Sequence, residues 1–184
     1  MTARHRRILD MERATKDHAA AREPAIGRLV SGIFEFRTLA EAEKLSALLA
    51  ANYPDPDRVA VGIWELLCNA VEHGNLAIDF AEKSRLLRSG TYHAEIEHRL
   101  ATSPFGKRVA RVEFRRNRTR IRLSVLDEGQ GFDFHAYLDA DMTLDAPNGR
   151  GIAIASRLSF DRLTYRGTGN RVDAISVLPR KPSA

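Results

Sequence analysis

The chain has 184 residues, 43% hydrophobic and 29% charged, which describes one globular domain with a substantial core and excludes a disordered protein. Its net charge of +5 suits an anionic ligand, and a single cysteine, Cys68, excludes an intrachain disulfide and fits a reducing cytoplasm. No apolar run approaches the roughly 18 residues that read as a membrane span, and the first residues lack the apolar core of a secretory signal, so a cytoplasmic protein without a membrane partner is expected.

In chain order, residues 1–25 are polar and mixed in charge, and read as a flexible basic tail ending near Pro24. Residues 26–184 read as a single domain. Residues 28–37 turn strand-like around Ile33, Phe34 and Phe36. Thr38 and Glu41 then form a capping box, and Ala42, Leu45, Leu48 and Leu49 mark an amphipathic helix stopped at Asn52 and Pro54. Asp57 is expected to cap a second helix, with Gly74 as its exit. Two further helices are expected over residues 76–87 and 92–100, separated by Ser89 and Gly90.

Beyond Pro104 the period changes to two. Ala110, Val112 and Phe114 alternate with Arg111, Glu113 and Arg115, and after a polar break at residues 116–119 Ile121, Leu123 and Val125 alternate with Arg122 and Ser124. A second hairpin is expected over residues 161–166 and 172–178, with a short helix near 151–158 between the two. The predicted fold is α+β: a two-layer sandwich of a mixed, mostly antiparallel sheet with helices on one face. Eight cations between Lys107 and Arg122 face only Glu113 there, which reads as a solvated sheet face or as a patch for nucleic acid or an acidic protein. No nucleic-acid-binding motif accompanies the patch, so nucleic acid is not the favoured partner. Cys68 lies within the helical run and reads as a small buried hydrophobe, not a nucleophile.

Three segments carry candidate chemistry. In the second helix, Val59, Ile63, Leu66 and Ala70 make an apolar stripe within ~40° on the wheel, while Glu65 lies ~120° away with Asn69 and Glu72 near it. The second segment is a strand ending in Asp127-Glu128-Gly129-Gln130-Gly131. An Asp there can accept from an exocyclic amine and the glycines let backbone approach a flat ring, although alone this is a tight turn after a strand. The third is Asn148-Gly149-Arg150-Gly151, glycines opening a helix whose free N–H groups, with Arg150, suit phosphate.

In this order, Glu-x-x-x-Asn, Asp-x-Gly-x-Gly and Gly-x-Gly resemble the Bergerat-fold ATPases, the superfamily that holds gyrase B, histidine kinases and MutL. The run from Glu65 to Gly74 is most similar to stand-alone anti-sigma-factor serine kinases of the RsbW and SpoIIAB type, over residues 28–178. That resemblance implies the cofactors ATP and Mg²⁺, with Asn69 as the magnesium ligand and Glu65 as the general base. It implies that Asp127 accepts from the adenine amine, with Gly129 and Gly131 against the base. It places Gly149, Arg150 and Gly151 at the phosphates and residues 133–148 in a lid. His73 matches a position open to either a phosphate contact or a helix-end cap, and Thr168 falls near an adenine-proximal threonine. The implied activity is a serine/threonine protein kinase that phosphorylates a STAS-type anti-sigma-factor antagonist, sequesters a sigma factor and forms a homodimer.

The alternatives are a nucleotide-gated partner switch without phosphotransfer and an interaction domain that no longer binds nucleotide. Residues 76–106 are longer than the connection expected in that branch, and read as a helical insertion that docks a partner or covers the nucleotide.

Overall fold

The computed structural model describes residues 27–134, 151–152 and 155–179. The expected tail, most of the expected lid, Gly149 and Arg150 lie outside these residues. Five strands form one sheet: β1 (Ser31–Phe36), β2 (Ala110–Arg116), β3 (Arg120–Leu126), β4 (Arg162–Arg166) and β5 (Arg171–Val177). Their order is β1-β2-β3-β5-β4, and every pairing among the described residues is antiparallel. The α+β sandwich follows from the alternation that is clearest in β2, where Ala110, Val112 and Phe114 are buried and Arg111 and Arg115 are exposed. Val112, Phe114, Leu123 and Ala174 are fully buried on one side, and the register sets Phe114 opposite Leu123 and Leu123 opposite Ala174.

Helices α1 (Leu39–Ala50) and α2 (Pro56–Asn69) belong to this buried layer. The capping box of α1 is present, with Glu41 N–H donating to Thr38 Oγ1 and the Glu41 carboxylate accepting from Thr38 N–H. The cap of α2 is Asp55 and not Asp57: Asp55 Oδ1 accepts from Arg58 N at 3.1 Å. Pro56, whose missing N–H costs nothing in a first turn, begins the helix one residue after the cap. The apolar stripe of α2 is buried as the periodicity requires, with Ile63 and Leu67 fully inside. Each such side chain contributes about 1.5–3 kcal/mol. Gly62 lets α2 close onto the π-helical segment Ala155–Ser159: a methyl there would overlap Ser159 and reach 3.1 Å from Phe160.

Gly74 is not the exit of this helix. From Ala70 to Asn75 the chain continues with π-helical winding, Leu76 N–H donating to the Val71 carbonyl at 2.9 Å. The wider turn carries Glu72 off the column shared by Glu65 and Asn69. Glu72 is buried and instead takes the Lys83 ammonium and the Tyr92 hydroxyl.

Those two partners come from α3 (Phe80–Ser89) and α4 (Tyr92–Ala101), the two helices expected in the insertion. The first starts later than periodicity suggested because Leu76 and Ile78 are fully buried ahead of it, and Asp79 caps Phe80 onward. Arg99 adds a second tie, donating to the Leu76 carbonyl at 2.8 Å and to Glu82 at 2.5 Å. The insertion is thus clamped to α2 and its extension by buried polar groups. Glu72→Ala is expected to lower unfolding free energy by about 2–4 kcal/mol, since the Lys83 and Tyr92 donors lose their acceptor in a largely buried site. A urea titration measures this, and a loss below about 0.5 kcal/mol would contradict the clamp.

The other face of the sheet carries the arginines. Arg111 pairs with Glu35 at 2.7 Å, Arg115 with Glu113, and Arg122 and Arg166 converge on Asp173 at 2.9 and 2.6 Å. Burial pushes the Asp173 carboxyl up, but hydrogen bonds from Ser124, Arg166 and Arg122 outweigh it and hold the group at about 2. Three of the eight cations of the arginine-rich stretch, Arg111, Arg115 and Arg122, are thus ion-paired on this face. Cys68 is buried.

Candidate functional site

A cavity of about 620 Å³ opens between the C-terminal half of α2, the ends of β3 and β5, and the insertion. That size lies within the roughly 300–1,000 Å³ of small-molecule sites. Its floor is apolar, from Leu66, Ala70, Val125, Ile152 and Val172. Polar groups enter at separate points: Asn69 and His73 from the helix side, Asp127 from the strand side, and Arg108 from beyond the insertion.

Asp127 sits just past β3, where Asp127 N–H donates to the Asn170 carbonyl and Asn170 Nδ2 donates back to the Asp127 carbonyl. Its Oδ1 accepts from Gly129 N at 2.8 Å, and its Oδ2 has no partner among the described residues. Burial raises the carboxyl to about 6, against the opposing pull of the Gly129 hydrogen bond and the Arg108 charge. At neutral pH it is therefore mostly an ionised acceptor, partly stripped of water, at the cavity wall.

The glycines around it serve backbone packing. A methyl on Gly74 would overlap Asp127 Cγ, and one on Gly129 would lie 2.5 Å from the Gly74 carbonyl oxygen. Gly131, at φ +82°, lines the cavity and packs against Thr168, whose carbonyl accepts from Phe132 N at 2.9 Å. Gly131 lines the cavity and Gly129 does not; the bare Cα of Gly129 admits the α2 extension instead. Thr168 is exposed, and its neighbours Gly169 and Asn170 line the cavity in its place.

Asn69 lines the cavity, and its side-chain amide has no hydrogen-bond partner among the described residues. Glu65 is one turn earlier, buried, and not part of the cavity lining. Gly151 lies directly on it: a methyl at Gly151 would overlap Glu65 Oε2 and come within 3.1 Å of Cδ. The structure thus brings the first and third motifs into contact. His73 settles mainly as a cap: its Nδ1–H donates to the Ile78 carbonyl, and its ring packs on Phe80 at 4.2 Å between centroids. Burial lowers its pKa despite the opposing Glu72 charge. A neutral ring with its proton on Nδ1 offers only an acceptor at Nε2, which is unsuited to a phosphate oxygen.

Residues 33–176 match the histidine kinase-like ATPase domain. The chain belongs to that family. ATP is accordingly a ligand of this ATPase domain, whereas no curated protein matches the chain. No helix among the described residues is long and apolar enough to cross a membrane.

A metal fits this ATPase domain only in a particular way. No cluster of three or more His, Cys, Asp or Glu side chains suited to a metal occurs among the described residues. Asn69 offers one unpartnered oxygen at the cavity wall, which matches Mg²⁺ bound through phosphates and waters with few protein ligands. When bound, such an ion neutralises phosphate charge. Motif reading passed over Tyr165, packed edge-on to Phe132 at 5.2 Å, as well as Asn75 and Arg108. Tyr165 was detectable only as a buried position on β4, and Arg108 was one cation in a run of eight.

Proposed function

We propose that this ATPase domain is an ATP- and Mg²⁺-dependent protein serine/threonine kinase. Its substrate would be a STAS-type anti-sigma-factor antagonist, and through it and a sequestered sigma factor the protein would regulate transcription. One observation carries the reading: Asp127 and Asn69 line the same cavity from opposite elements, with Glu65 one helical turn behind Asn69. The similarity of the Glu65–Gly74 run to the anti-sigma-factor kinases supports the choice of substrate class.

In this mechanism the Asp127 Oδ2 accepts from the adenine amine and sets the base end. Asn69 would hold Mg²⁺, which would neutralise the phosphate charge, and Phe132 and Tyr165 keep the base region dry. Glu65 takes the proton of the attacking serine hydroxyl as its oxygen bonds to the γ-phosphorus and the bond to the ADP oxygen breaks. A homodimer is proposed across the edge strand β1, where Ile33, and Val30 just ahead of the strand, are exposed.

The covering of Glu65 by Gly151 favours one alternative, a nucleotide-gated partner switch that transfers no phosphate. Incubation with γ-labelled ATP, Mg²⁺ and a STAS-type antagonist separates the two. Glu65→Gln is expected to lower phosphotransfer at least about 100-fold while ATP affinity stays within about threefold. Nucleotide binding without transfer by the wild type would establish the switch, and transfer unaffected by the substitution would remove Glu65 from the mechanism.

A further inference from the structure

Arg108 is the one lysine or arginine among the described residues that line the cavity. Its guanidinium is held in place from two sides. Nη1 donates to the Asn75 carbonyl at 2.9 Å, and the head group lies over the Phe105 ring at 5.2 Å from the centroid. Asn75, 1% exposed, uses its Oδ1 to accept from Glu128 N at 2.9 Å, so one buried residue positions both the arginine and the peptide next to Asp127. The Arg108 charge is felt at the Asp127 carboxyl. Its Nε and Nη2 donors have no partner among the described residues, and Arg108 is half-buried.

A fixed donor beside a fixed acceptor is a complement to one edge of a purine. Asp127 alone accepts from any exocyclic amine. In adenine that amine is flanked by two ring acceptors, N1 and N7, much as a carboxamide reads the adenine amine and N7 as a bidentate pair. We propose that Arg108 is a base-reading residue: it donates to an adenine ring nitrogen next to the amine that Asp127 accepts. The selectivity for adenine then depends in part on the segment that follows the insertion. This rests on the assignment of the cavity to ATP, with Asp127 at the base end.

Calorimetric titrations of the full chain and of Arg108→Ala and Arg108→Lys with ATP, 1-deaza-ATP and 7-deaza-ATP test it. The wild type is expected to lose about tenfold in affinity for one of the two deaza analogues. Arg108→Ala loses about tenfold for ATP and shows no further loss for that same analogue, and Arg108→Lys recovers part of the loss. Losses in Arg108→Ala that simply add to those of both analogues, or affinity for ATP equal to the wild type, overturn the proposal. Because Arg108 also bonds Asn75, thermal unfolding of each variant accompanies the titration; if Arg108→Ala does not fold, Arg108→Met, which keeps the side chain's bulk without a donor, carries the same comparison. A wild-type chain that binds neither ATP nor an analogue overturns the ATP assignment itself.

Discussion

Gly74→Ala is expected to weaken ATP binding by about 10- to 100-fold and to lower stability by about 1–3 kcal/mol. The sign is not that of helix propensity, because alanine in place of glycine would otherwise favour a helical segment by about 1 kcal/mol. The added methyl would overlap Asp127 Cγ and lie 2.7 Å from its Cβ. Asp127 has little room to retreat, since its backbone is bonded on both sides to Asn170 and its Oδ1 to Gly129 N. Either the carboxylate leaves the cavity wall or the α2 extension shifts, and both disturb the cavity proposed for the nucleotide. Thermal unfolding together with an ATP titration reads both effects. A variant more stable than the wild type with unchanged affinity would show that Gly74 is merely a helical glycine.

Asp127→Asn is expected to do the reverse to stability while also losing nucleotide. The folded-state carboxyl is raised from 3.8 to about 6, so the ionised form is disfavoured by folding. The contribution of Asp127 to stability is therefore most favourable at low pH and is lost as pH rises through about 6. Replacing it with the neutral amide is expected to stabilise the nucleotide-free protein by about 1–3 kcal/mol at pH 7.5, and to leave it little changed near pH 4. ATP affinity moves the opposite way, falling at least about tenfold because the acceptor next to the amine is replaced. In the wild type, affinity also declines as pH falls through about 6, where Asp127 takes up a proton. Unfolding and binding measured against pH in both proteins test this together. A lower melting temperature for Asp127→Asn at pH 7.5 would mean that the carboxylate has a structural role.

Much of the scaffold was legible because its signals are local. The Thr38–Glu41 box, the period-two strands with Val112, Phe114 and Leu123, and the apolar stripe of α2 each state their structure within a few residues. Asp57 was misread because two aspartates flank Pro56, and only proline's preference for the first helical position separates them. The change to π-helical winding at Ala70 left no mark in the sequence. It turns Glu72 from the site column to the insertion and keeps Gly74 inside the helix, where its bare Cα meets Asp127.

The site was partly legible for the same reason. Asp127 and Asn69 announced themselves through short motifs, and the cavity brings them together. Arg108, Asn75 and Tyr165 did not, because their roles depend on contacts between distant segments. Gly151 looked like a phosphate cradle, and in the fold it also covers Glu65. That contact depends on packing between residues far apart in the chain, which no spacing rule encodes.

The most direct test of the site is a calorimetric titration with ATP and Mg²⁺ at pH 7.5, on the wild type and on Asp127→Asn. One nucleotide per chain, bound at least about tenfold more weakly by the variant, is the predicted result. Absence of binding to the wild type, or equal affinity in the two proteins, would contradict it.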